Sequence, residues 1–280
     1  MQIDGWKYYN HAVIPTTAPH EMPDILPITD GSIWKIKGEG TPLLARWTTD
    51  FDCNYETNWW YVIKDTPFDM ARLKAKRRYE INKGKRFFEV REIDPQKYKE
   101  SIFAIQKEAY AVYPIKYRPT IEKESFFSSM DYWNQSTVLG AFFRETNELV
   151  GYTRLSENEK KCIDFITLKT MPDYEKYSIN AALVAGILQK YNDHLANGFY
   201  ICDGARNINH ETAFQDYLEK YFEFRKAYCK LHVQYAPKIN LLVKMLFPMR
   251  NILLKFEEIK FIHFLNSVLK MEEINREGNI

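Results

Sequence analysis

From Phe87 to Ala236, strand-like and helix-like runs follow one another in a set order, and this order limits the fold more than any other feature of the sequence. A strand FFEVREI leads into a helix PQKYKESIFAIQKEAYAVY. After a polar connection come strands TVLGAFFRE and LVGYTRLSE, joined at Thr146, Asn147 and Glu148. A third strand, CIDFITLKT, is followed by helix INAALVAGILQKYNDHL, strand GFYICDG, helix HETAFQDYLEKYFEF and strand AYCKLHVQYA. Switching between apolar periods of two and of about 3.6 residues in this way predicts an α/β core with a mixed sheet. With 280 residues and 45 % hydrophobic content the chain can fill such a core. No internal repeat points to a solenoid.

The segments around this core read differently. The first thirty residues, with HAVIPTTAPHEMPDILP, are expected to run extended on the surface. Strands are expected at SIWKIK from Ser32, PLLARWTTDF from Pro42 and WWYVIKD from Trp59. A helix should then open with Thr66 as N-cap, Pro67 at the first helical position and Asp69 in capping-box spacing, and close at Gly84. Between Met70 and Arg91 stand nine Lys or Arg against two acids, Glu80 and Glu89. Two readings stand: a solvated helix face, or a surface for phosphates in which Arg78, Lys83 and Lys85 take part. The tail from Ile239 carries one apolar stripe of Leu242, Met245, Leu246, Met249, Leu253 and Phe256 and a second of Ile259, Ile262, Leu265 and Leu269. A helical hairpin docked on the domain is expected; a basic amphipathic helix on a membrane surface is the other reading. The expected boundaries are 1–86, 87–236 and 237–280.

A formal charge of +2 does not by itself call for a polyanionic partner, and no DNA partner is expected. The N-terminus lacks a secretory pattern and no apolar run approaches a membrane span, so a cytoplasmic location is expected. Cys53, Cys162, Cys202 and Cys229 lack C-x-x-C spacing and read as free thiols, and no metal is expected. P-loop, nucleophile-elbow and zincin motifs are absent from the sequence. His20 with Glu21 and His210 with Glu211 could each supply a base, or serve as caps and surface pairs. Asp203 before Gly204 could deprotonate an amine or simply mark a turn.

The strand CIDFITLKT enters its helix through PDYEKYSINAAL, which has no glycine. Leu168, Thr170, Pro172, Tyr174, Ile179 and Leu183 nevertheless fit, without a gap, the pattern L-x-V-x-P-x-Y-R-G-x-G-I-G-x-x-L. With this junction the element order resembles the GNAT acyltransferase fold. The resemblance implies a GNAT-like mixed β-sheet flanked by helices, here with an N-terminal strand extension and a C-terminal helical hairpin. Glu175 stands for the arginine of the pattern, and Lys176, Ser178 and Asn180 for its three glycines. Side chains at these positions oppose the close backbone approach by which such a loop holds a pyrophosphate, so Ser178 and Asn180 are expected as helix caps at a weak coenzyme A site. NINHETAFQDYLEKYF resembles N-x-x-A-x-x-x-Y-x-x-x-G-F with one residue added, matching Ala213 and Tyr217. The resemblance implies that Tyr217 protonates the leaving group; packing of its ring is the other reading.

RRYEINKG, with Arg78, Ile81, Lys83 and Gly84, is similar to the R-x-x-I-x-K-G element of Fem-type aminoacyltransferases and their bacterial relatives. That likeness implies transfer of an acyl or aminoacyl group to an amine acceptor, such as a cell-envelope precursor. The donor would be acyl-CoA or aminoacyl-tRNA, the acceptor a small or lipid-linked molecule, and peripheral membrane contact would come through the C-terminal helices. Thr170 would offer its N–H to the carbonyl, Tyr217 a proton, and Asp203 a base. The competing reading is a non-catalytic GNAT-like module that binds a phosphate-bearing ligand through the basic helix.

Overall fold

The computed structural model describes residues 3–36, 38, 40–115, 118–158, 161–208 and 213–278, without the Lys260 side chain. Two compact units are each assembled from separate stretches of chain. Unit 1 comprises Met1–Val62, Ala205–Asp216 and Arg225–Ile280, and unit 2 comprises Ile63–Gly204 and Tyr217–Phe224.

In unit 1 the N-terminal residues form a hairpin, not a surface strap. Strands β1 (Trp6–Tyr9) and β2 (Ala12–Pro15) pair antiparallel through Asn10 and His11, both at positive φ, as a tight two-residue turn requires. Trp6 and Val13 are buried, and that burial holds the segment down. Helix α1 (Leu26–Thr29) follows. Ser32–Lys35, expected as a strand, is a 3-10 turn, because Gly31 takes φ 76° and Asp30 Oδ1 accepts from the Ser32 N–H at 2.8 Å. Strand β3 (Leu44–Thr49) runs parallel to β2 and antiparallel to the last strand, Arg225–Tyr235, beside which lies β4 (Trp59–Lys64).

Unit 2 holds the region whose order was legible. Helix α2 spans Ala75–Phe87, and the expected start at Thr66 is corrected. Asp69 caps only a 3-10 turn, Met70–Arg72, and Thr66 Oγ1 accepts from buried Lys64. Gly84 lies inside the helix. Strand β5 (Phe88–Glu92) and α3 (Lys99–Ala111) come next. The polar connection contains a helix that the pattern did not announce, α4 (Lys123–Met130). Strands β6 (Thr137–Phe143), β7 (Glu148–Glu157) and β8 (Cys162–Thr170) are joined antiparallel, and α5 (Ile179–Lys190) and α6 (Asn192–Ala196) lead to β9 (Tyr200–Ala205), parallel to β8. The order is β9-β8-β7-β6-β5, the mixed sheet flanked by helices that was expected. Phe88, Ala141, Val150, Ile179 and Leu183 fill one face under α5, and Ile102, Ile105, Trp133, Phe142 and Tyr152 fill the other under α3 and α4.

Helix α7 spans Ala213–Phe222, and β10 is the strand Arg225–Tyr235. The tail forms α8 (Pro237–Leu246), α9 (Arg250–Leu253) and α10 (Lys260–Gly278). Val268 and Leu269 dock on Leu231 and Val233. The first apolar stripe does not dock as a whole: Leu246 and Leu253 pack inward, while Leu242, Met245, Met249 and Phe256 stay exposed. Among the described residues no helix is long and apolar enough to cross a membrane.

Candidate functional site

The site lies in unit 2, at the edge of β8. Among the described residues β9 pairs with β8 only at Cys162↔Tyr200, Ile163↔Ile201 and Asp164↔Cys202. Pairing with β7 continues to Thr170, but its register shifts so that Ile166 is skipped between Phe165 and Thr167. Such a bulge bends a strand and sharpens its twist, which carries the rest of β8 away from β9. Ile166 is accordingly exposed.

From Phe165 to Thr170 the backbone on that side has no strand partner among the described residues. The Met171 N–H donates to Val150 O on β7, next to the pair Gly151↔Thr170. In an antiparallel ladder this makes Gly151↔Thr170 a non-hydrogen-bonded pair, so the Thr170 N–H points away from β7, toward the unpaired side. The Thr170 residue itself is buried. Asp203 follows Cys202, the last residue of β9 paired with β8, and is partly buried where those two strands part.

The loop after β8 is closed by side chains. Pro172–Tyr177 is a 3-10 turn, and Ser178 takes φ 64°, a left-handed conformation that costs a non-glycine residue about 1 kcal/mol. Tyr177 and Tyr174 pack against Phe87 and Phe143, with ring centroids 4.6 Å apart for Phe87–Tyr177 and 5.1 Å for Phe143–Tyr174. The Lys83 ammonium donates to Lys176 O at 2.8 Å. Helix α2 also lies tight on the start of α5: a Cβ on Gly84 would sit 2.7 Å from Ser178 O and 2.9 Å from Ala182 Cβ. Ser178 stands at the N-cap position without a side-chain cap bond, and Asn180 Oδ1 accepts from Thr170 Oγ1 at 3.3 Å, so neither caps α5 as expected.

Arg77, counted with the basic cluster, is buried. Its guanidinium donates to the Tyr217 hydroxyl at 3.2 Å, pairs with Glu80 at 2.6 Å and lies 3.8 Å from the Tyr221 ring centroid. Burial first, against the opposing pull of Arg77, pushes the Tyr217 hydroxyl up to about 12, so it keeps its proton at neutral pH. Arg78 donates to Leu73 O at 2.5 Å and to Ala71 O at 3.3 Å, tying down the turn before the helix. The Lys85 side chain is half-buried, and its own carbonyl accepts from Arg144. Three of the nine cations, Arg77, Arg78 and Lys83, are thus engaged within the fold, while Arg72, Lys74, Lys76 and Arg86 are exposed. His210 and Glu211 lie outside the described residues.

Sequence reasoning missed the other face of β7 and β8. Tyr152 and Arg154 share that face with their cross-strand partners Lys169 and Thr167. Tyr152 donates to Gln106 Oε1 at 2.6 Å, Lys169 donates to the Tyr113 hydroxyl at 3.1 Å, and Arg154 lies 4.4 Å from the Trp133 ring centroid. The signal was a polar or charged residue at every second position of strands that are otherwise apolar. Among the described residues no group of His, Cys, Asp and Glu is arranged to hold a metal ion.

No protein-family model matches the sequence, and no curated protein matches it. Solved structures are similar in fold. L-PGS from Bacillus licheniformis aligns with 88% of this chain and 84% of its own at 12% identity, with a TM-score of 0.51. FemX aligns over 66% of this chain and 63% of its own at 8% identity, TM-score 0.49. A GCN5-related N-acetyltransferase-like protein from Streptococcus suis 89/1591 aligns over 80% and 79% at 13% identity, TM-score 0.40. At such identity the likeness to L-PGS speaks for the fold alone.

Proposed function

We propose that this chain transfers an acyl group, carried as an aminoacyl ester, to an amine acceptor. The observation that carries the reading is the unpaired edge of β8, where the Thr170 N–H is free to hold the carbonyl oxygen as charge develops on it. Attack of the amine on the ester carbon would form the new amide, and the leaving hydroxyl would take a proton. Tyr217, which keeps its proton at neutral pH, is the group we assign to that step, and Asp203 the group that takes the proton from the amine. The loop supports an ester donor over coenzyme A: with Tyr174, Tyr177 and Lys83 filling the place of a glycine cradle, coenzyme A has no bare backbone to approach. The competing reading, a phosphate-binding module built on α2, loses support because Arg77, Arg78 and Lys83 are engaged within the fold.

The acceptor is best read as one held at a lipid surface. Leu241 and Met245 on α8 are 64% and 65% exposed, and Met249, Ile252, Phe256 and Phe261 continue the exposed apolar run. Lys238, Lys244 and Lys255 stand among them, the composition of a segment that lies on an anionic bilayer. The test is discharge of aminoacyl-tRNA by the full chain, with and without vesicles displaying a primary amine, against acetyl coenzyme A as donor. Discharge with amide formation on the vesicle amine is expected, and it should slow in Tyr217→Phe. Turnover of acetyl coenzyme A alone would overturn the reading.

A further inference from the structure

Arg154 is a cation without its counter-charge. Its Nε is sealed from water with no hydrogen-bond partner, and among the described residues no carboxylate pairs with the guanidinium. Other cations of unit 2 do find acids: Arg77 meets Glu80, Lys64 meets Glu223, and Lys190 meets Glu92. Removing a charge from water is costly unless it is paired, and the Trp133 face under Arg154 returns only part of that cost. Burial pulls the Arg154 affinity for its proton down, as expected of a cation short of a partner.

A second cation faces the same space. Lys169 sits diagonally from Arg154 across the β7–β8 ladder, on the same face, since Tyr152↔Lys169 and Arg154↔Thr167 are successive pairs. Its ammonium meets the Tyr113 hydroxyl at 3.1 Å and lies 5.2 Å from the Tyr110 ring centroid, again with no acid among the described residues. Like charges at diagonal positions of a sheet repel each other, and nothing described between them offsets that repulsion. Two cations and a tyrosine hydroxyl are a donor set in search of an acceptor.

We infer that Arg154 and Lys169 form a binding site for a compact oxyanion, a carboxylate or a phosphate group, on the α3 side of β8. The guanidinium offers its Nη–H groups to two oxygens, and the ammonium closes the third side as a point charge. The site lies next to Thr170 in the chain but uses neither its N–H nor Tyr217, so it stands whether or not the chain transfers acyl groups.

The test is an NMR titration of the arginine Nε–H signals in the full chain, with the Arg154 signal assigned by its loss in Arg154→Lys. Sodium phosphate, sodium acetate and sodium chloride are compared at matched ionic strength. A saturable shift of the Arg154 signal with phosphate or acetate, absent with chloride, is expected, and the anion that saturates tells phosphate from carboxylate. Lys169→Gln should weaken that binding by about 5-fold or more, as loss of one charge-assisted contact does. If Arg154→Lys does not fold, the thermal midpoint of the wild-type chain in each salt replaces the assignment, and the specific anion should raise it above chloride. Equal effects of all three salts, or an Arg154 signal unmoved by any, would overturn the site.

Discussion

Helix α2 and the segment α8–α9 make opposite use of their sequences. The α2 region is dense in charge and reads as a surface, yet its Arg77 is buried against Tyr217 and Tyr221 and its Lys83 holds a loop carbonyl. The α8–α9 segment is dense in apolar residues at helical spacing and reads as a docked face, yet Leu241, Met245, Ile252 and Phe256 remain in solvent. The comparison teaches that charge predicts exposure only when no partner is folded against it, and that an apolar stripe predicts burial only when the fold supplies a face for it.

The contrast would break first at Arg77. Arg77→Met removes one half of a buried ion pair and should cost about 3–5 kcal/mol by leaving Glu80 uncompensated, measured by urea unfolding. A loss below about 1 kcal/mol, the range of ordinary surface changes, would return Arg77 to the solvated face. Next comes Gly84→Val. The added Cβ meets the Ser178 carbonyl, a backbone group that cannot swing aside, so about 1–3 kcal/mol should be lost by overpacking.

These positions also mark what the sequence could and could not reveal. The order from β5 to β10 was legible because each element carries its own apolar period. The ungapped register from Leu168 to Leu183 placed the strand-to-helix junction correctly. Thr170 was legible as a position, while the direction of its N–H depends on which pairs of the ladder are hydrogen-bonded. Arg77 was not legible, because burial of a charge depends on α7, some 140 residues on. Helix α4 was hidden by polar residues, and the Asx turn at Asp30 overrode the strand-like alternation of Ser32–Lys35. Arg154 and Lys169 escaped notice because they lie on different strands and only the pairing brings them to one face.

A smaller effect should come from His232 in unit 1. Burial holds its imidazole below the usual range, where it stacks on Trp47 and bonds Thr49 Oγ1 at 2.8 Å. The unfolded chain then binds the proton more readily, so the stabilisation from neutral His232 is complete above about pH 6.5 and is lost as pH falls through the lowered value. Urea midpoints measured between neutral and mildly acidic pH should fall, and His232→Gln should flatten that slope. An unchanged slope in the variant would remove His232 from the account.

The smallest change in stability should accompany the largest change in location. Leu241→Ser combined with Met245→Ser alters exposed side chains, so unfolding should shift by no more than about 0.5 kcal/mol. Co-sedimentation with anionic vesicles should nevertheless drop several-fold. If the double variant binds vesicles as the wild type does, the apolar tail is not the membrane contact.

The central claim is that β8 keeps an open backbone edge for the reacting carbonyl, and amide hydrogen exchange at Leu168 and Thr170 tests it most directly. In the free chain both amides should exchange quickly while the Met171 amide, bonded to Val150, is protected. A hydrolysis-resistant 3′-aminoacyl-amide analogue of adenosine should slow exchange at Thr170. Protection of Thr170 in the free chain, equal to that of Met171, would mean that the edge is already paired, and the proposed site would fall with it.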